Sequence, residues 1–157
     1  MGSGDAASLA FRARALAQAH ALSPAADRLH NRAVAEESRT QPRSELGAWA
    51  GAALTQGYCL RRVQEDGEQS VVAAGADELE ALDRAATDFA AELRTGTGDD
   101  VTVAALDLLV ASQVDQRLEP WRDELDAQTR TELEQYLTWW VVKGYGLRVA
   151  ETAARAS

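Results

Sequence analysis

The stretch Ser44–Gln64 reads SELGAWAGAALTQGYCLRRVQ, and its apolar residues fall on two helical stripes instead of one. Leu46, Trp49, Ala53, Leu60 and Val63 mark one face, while Ala50, Leu54 and Tyr58 mark a second. Residues three and four apart share a helix face, so the spacing predicts a long central helix buried on two sides. Glu45 in its first turn and Arg61-Arg62 at its end both suit the helix dipole. Gly47, Gly51 and Gly57 lie inside it. A glycine costs a helix about 1 kcal/mol relative to alanine, so three on one helix point to another backbone passing close by, or else to a thinned helix.

Helical spacing continues on both sides of this segment. Toward the N-terminus, Leu9, Ala13, Leu16 and His20 form one stripe over Asp5–Leu22. Ser23-Pro24 then restarts the chain as a helix, with serine suited to the N-cap and proline to the first helical position. That helix, within residues 24–40, has a thin apolar stripe of Ala26, Leu29 and Ala33 among Arg28, Arg32, Glu36 and Glu37, which places it on the periphery. Toward the C-terminus, Ser70–Ala74 is too short for periodicity to assign. Asp77 and Glu80 have the spacing of a capping box, and Leu79, Leu82, Ala86, Phe89, Ala90 and Leu93 follow at helical intervals. After Thr95-Gly96-Thr97-Gly98, Asp99 or Asp100 caps a helix carrying Val103, Leu106, Leu109, Val110, Val114 and Leu118, and Pro120 ends it. A last helix starts near Trp121 and carries Leu125, Leu133, Tyr136, Leu137, Trp140 and Val141, with Gly144 and Gly146 expected to interrupt it before Leu147–Ala156. No alternating β-branched run argues for a sheet. The expected fold is all-α, a single-domain antiparallel bundle of five to seven helices, with residues 1–4 disordered.

Composition narrows the function. The 157 residues suit one domain able to bury a core without staples. Cys59 is the only cysteine, so no internal disulfide and no zinc-spaced cluster can form. The N-terminal residues lack the basic and apolar stretches of a signal peptide, and no segment approaches a membrane span, so a reducing cytoplasm is the expected compartment. Sixteen basic against 25 acidic residues give a net charge of −9, which opposes the counterion release that drives nucleic-acid binding. Residues 76–100 alone carry eight acids and two arginines, read as a solvated helix face.

Motifs for chemistry are sparse. His20 and His30 are the only histidines and neither belongs to a Glu-x-x-His pair, so no metal centre and no cofactor is expected. Thr95–Gly98 opens a helix as an anion-binding turn can, but Asp99 and Asp100 stand where phosphate would approach and no P-loop lysine follows. Cys59 is a candidate nucleophile because Arg61 and Arg62 follow it, although a cysteine inside an apolar helix usually packs as a small core residue. Trp139 and Trp140 are adjacent, so they point about 100° apart, and with Tyr145 they form the densest aromatic cluster. Three readings of different class follow. The first is a non-enzymatic interaction module, a homodimer that associates through the small-residue face of Ser44–Gln64 and through Trp139/Trp140. The second is a small-molecule-binding bundle with a pocket lined by Trp49, Tyr58, Trp140 and Tyr145, in which Arg61 or Arg62 fixes a negative group. The third is an enzyme using Cys59.

Overall fold

The computed structural model describes residues 6–19, 22–40, 46–64, 76–92, 100–119 and 126–156. They form α1 (Ala6–Gln18), α2 (Pro24–Thr40), α3 (Leu46–Gln64), α4 (Ala76–Glu92), α5 (Asp100–Leu118) and α6 (Ala127–Ala156), and among them there is no strand. The six helices pack against one another in one compact domain, as the periodicity predicts. Among the described residues no helix is long and apolar enough to cross a membrane.

The central place of α3 follows from its two apolar stripes. It packs against α1, α2, α5 and α6, while α4 leans on α6 and α2. Ala50, Ala53, Leu54, Tyr58, Cys59, Leu60 and Val63 are all buried, and Trp49 is half-buried. The outer helices cover it by ordinary amphipathic packing: α1 contributes Leu9, Ala10 and Ala13, α2 contributes Ala25, Ala26, Leu29 and Ala33, and α5 contributes Leu106, Leu109, Val110 and Val114. The small stripe of α2 keeps that helix close to α3, and its other face, with Arg28, Asn31 and Arg39, stays exposed.

Helix ends carry the expected chemistry where serine and aspartate stand free of the turn. Ser23 caps α2, accepting from the Ala26 amide at 3.0 Å through its hydroxyl and from the Asp27 amide at 2.8 Å through its carbonyl. Asp126 caps α6, its carboxylate 2.7 Å from the Thr129 amide, and that bond holds the Asp126 carboxyl below its ordinary range. α6 therefore starts at Ala127, and the start expected near Trp121 falls outside the described residues. Asp77 falls inside the first turn of α4, one residue past the start, and Asp100 opens α5. Residues 1–4, Ser70–Ala74, Thr95–Gly98 and Trp121–Leu125 lie outside the described residues, as does His20.

The largest departure from expectation is α6, which runs unbroken through Gly144 and Gly146. Local propensity counts both as losses, but close packing outweighs propensity here. A Cβ on Gly144 would fall on the Leu54 carbonyl oxygen and 2.9 Å from the Tyr58 nitrogen; a Cβ on Gly57 would fall on the Val141 carbonyl oxygen and 3.0 Å from the Tyr145 nitrogen. The two helices are antiparallel here, since Leu54 opposes Gly144 and Gly57 opposes Val141. Of the two readings of the α3 glycines, the close backbone is found at Gly57, whereas Gly51 faces side chains of α2.

Gly57→Ala and Gly144→Ala should each cost about 3 kcal/mol or more in urea unfolding, because overpacking against a backbone outweighs the ~1 kcal/mol gained in propensity. Gly51→Ala meets only side-chain atoms, Val34 Cγ2 at 2.6 Å and His30 Nε2 at 2.7 Å, and should lose less. Equal losses at all three positions would contradict the backbone notch.

Candidate functional site

The residues singled out in the sequence do not converge on one spot; the structure distributes them over four clusters around the α3–α6 crossing. The first is a buried polar network. The Tyr58 hydroxyl donates to Glu151 Oε1 at 2.6 Å, the Ser23 hydroxyl donates to Glu151 Oε2 at 2.5 Å, and Arg148 Nη1 donates to the Tyr58 oxygen at 3.1 Å. Arg148 and Glu151 also pair at 3.6 Å, one turn apart on α6, with residue exposures of only 1% and 2%. A buried cation and anion at such exposures are tolerable only because each is paired and hydrogen-bonded. The Tyr58 phenol is pushed up to about 12, first by burial and then by the facing Glu151 carboxylate, with Ser23 and Arg148 partly opposing.

Cys59 lies beside this network and is fully buried. Burial pushes its thiol up to about 12, outweighing the opposite pull of Arg62 and Arg148. The cations that suggested reactivity are present, but desolvation wins, so the sulfur stays a protonated thiol near neutral pH.

The second cluster joins α3, α5 and α6. Tyr145 donates to Gln64 Oε1 at 2.5 Å, Arg61 donates to the Tyr145 oxygen at 3.3 Å, and Gln64 donates to Thr102 at 2.8 Å. The Phe89 ring lies 5.7 Å from that of Tyr145. In the third, Lys143 sits 5.3 Å over the Trp140 ring and 2.8 Å from Asp83, which also receives Arg32 at 3.1 Å, while Arg32 reaches Glu80 at 2.7 Å. Trp140, Lys143, Arg32 and Asp83 border a cavity of about 30 Å³, room for about one water molecule. In the fourth, Trp49 is covered by Arg117 at 5.7 Å, away from Tyr58 and Tyr145. Trp139 is half-buried against the core. Tyr58, Trp140 and Tyr145 thus face three different clusters, and the hydroxyls of both tyrosines are taken up by protein. His30 sits against Gly51 with Nδ1 3.0 Å from Asn31. Among the described residues no group of three or more His, Cys, Asp or Glu could hold a metal ion.

A different surface emerges outside the core. The exposed large apolar residues among those described are Phe11 at 66%, Leu108 at 42% and Val101 at 38%, all on α1 or α5. These two helices pack side by side and flank an open groove of about 720 Å³ bordered by Ala7, Ala10 and Arg14 of α1 and Leu108, Ala111 and Asp115 of α5. Phe11 shares a helix face with Ala7 and Arg14 by its spacing. Val101, Ala104, Leu108 and Ala111 repeat at intervals of three and four on the side of α5 opposite its core residues, and all four are exposed.

The sequence reading missed these residues, although a signal was there. Phe11 stands two positions off the Leu9–Ala13–Leu16 stripe, and Val101 and Leu108 stand off the core stripe of α5, leaving that helix apolar on two sides. No family model, no curated protein and no solved structure matches this chain.

Glu151→Gln, which leaves Arg148 buried without its counter-charge, should lower stability by about 3–5 kcal/mol in denaturant titration at pH 7, and a loss under 1 kcal/mol would mean that Arg148 reaches water. Tyr58 and Cys59 have folded pKa values above their unfolded ones of 10.0 and 9.0, so the neutral forms favour folding. Their contribution is whole below about pH 9 and is lost as pH rises toward 12. Denaturation midpoints should therefore fall from about pH 9 upward, and Tyr58→Phe should flatten the part of that fall between pH 10 and 12.

Proposed function

We propose that this protein is a non-enzymatic helical interaction module whose contact surface is the outer face of α1 and α5. The observation that carries this reading is the placement of Phe11, Val101 and Leu108, exposed together on two neighbouring helices. Single exposed apolar residues are ordinary, but three on two helices packed side by side, with Leu108 bordering the groove between them, favour a contact surface. Aromatic side chains such as Phe11 bury the most area per residue at interfaces. The reading is also supported by what fills the core. Cys59 is protonated and buried, and the hydroxyls of Tyr58 and Tyr145 are engaged by neighbouring side chains.

The surface differs from the one expected first. The α3 face and Trp140 are buried by intramolecular packing and Trp139 is half-buried, so the association expected at α3 and Trp139/Trp140 is proposed instead at α1 and α5.

A photo-cross-linking phenylalanine analogue placed at position 11 should capture protein in living host cells. The same analogue at Arg84, an exposed position of α4, should not. Adding Leu108→Asp, which alters only the groove wall, should abolish the position-11 adduct. Equal adducts from both positions, or an adduct indifferent to Leu108→Asp, would overturn this role for the α1/α5 face.

A further inference from the structure

The outer face of α1 and α5 is divided by charge. The charged residues of α1 are Arg12 and Arg14, with no acid along its whole length. On α5 the exposed charges are Asp107 and Asp115, with exposed Glu119 just beyond its end, while Arg117 is turned inward onto Trp49. Asp115 is already paired with Arg130 of α6, and Glu119 borders the same groove. The groove thus carries Arg14 on its α1 wall and Asp115 and Glu119 beside Leu108 on its α5 wall, while Arg12 points to the other side of α1.

Resting on the interaction reading above, we propose that the occupant of this face is a second copy of the chain, related by a two-fold axis that lays α1 of each copy on α5 of the other. A two-fold interface uses the same patch twice, so it must be complementary to itself. A patch of one sign could not meet that condition, and the chain's net charge of −9 makes repulsion the default for two copies approaching at random. Crossing α1 onto the opposite α5 brings Arg14 to the partner's Asp115 and Glu119 in both directions at once. Phe11 then enters the groove beside the partner's Leu108, and the partner's Phe11 does the same in return.

Size sets the strength. α1, with 13 residues, is about 20 Å long, and two neighbouring helices present a face roughly 20 Å across, so each copy offers a footprint of roughly 400 Å². That lies below the ~800 Å² per partner of a standard stable interface, so the dimer should be weak.

The test is a charge exchange read by sedimentation and native mass spectrometry over a concentration series. Wild-type chain should pass from 16.9 kDa to twice that mass. Arg14→Glu makes both walls acidic, Asp115→Arg/Glu119→Arg makes both basic, and each should raise the dissociation constant about tenfold or more. Mixed in equal amounts, they should form a heterodimer at least as tight as wild type. That recovery also shows that both variants are folded. Dimers indifferent to both reversals, or reversals that the mixture fails to rescue, would overturn this pairing. A wild-type chain still monomeric at about 1 mM would overturn the second copy itself. In that case a position-11 adduct with another protein would leave the interaction reading standing, and no adduct would remove both.

Discussion

Everything in this bundle depends on how closely α3 and α6 approach. Helix axes ordinarily stand about 8–10 Å apart because side chains separate them. Here Gly57 leaves room for the Val141 carbonyl and Gly144 leaves room for the Leu54 carbonyl, so each helix carries a notch for the other's backbone. Both notches lie on one antiparallel crossing, and the residue after each glycine is a tyrosine. A slip of one position would drive Tyr58 or Tyr145 into a space that admits no Cβ. Register is thereby fixed by exclusion rather than by attraction, which is why α6 keeps its glycines in the middle of thirty residues of helix.

The buried polar groups follow from that register. Tyr58, next to Gly57, is brought to Arg148 and Glu151, and Tyr145, next to Gly144, is brought to Gln64 and Arg61. Burying an ion pair contributes little to net stability, since desolvation consumes most of the attraction. Its effect falls on mispacked arrangements, where Arg148 without Glu151 would be an uncompensated charge in the core. Glycine notches and the ion pair therefore act on the same alternative states from two directions, one steric and one electrostatic. Ser23 extends the arrangement to α2, because the hydroxyl that caps that helix also donates to Glu151.

How much of this was legible in the sequence depends on the range of the interaction. Local patterns located the helices, the cap at Ser23 and the two-sided burial of α3. The glycines of α3 allowed a close backbone or a thinned helix, and the backbone that Gly57 meets, at Val141 and Tyr145, lies in another helix, beside Gly144, which within its own local window reads as a breaker. Asp126 was passed over because Trp121 after Pro120 resembles a helix start, whereas the free amide at Thr129 finds its acceptor five residues later. Cys59 shows the same limit in energetic form: the arginines that would activate a thiol are visible as neighbours, but the burial that outweighs them is a property of the folded core.

The α1/α5 face was hard to read for a deeper reason. A helix side packed inside a monomer and a helix side packed against a partner exclude water by the same physics, so they carry the same residues at the same intervals. In α5 the Leu106, Leu109, Val110 and Val114 side is buried and the Val101, Leu108 and Ala111 side is exposed, yet the two stripes look alike as sequence. Only the packing of the other helices distinguishes them: α1, α3 and α6 cover one side of α5, and among the described residues Val101 and Leu108 are left uncovered. Charge breaks the ambiguity where hydrophobicity cannot. Arg14 across a groove from Asp115 is foreign to a core stripe, and on the contact face proposed above opposed charges would supply the direction that apolar area alone lacks.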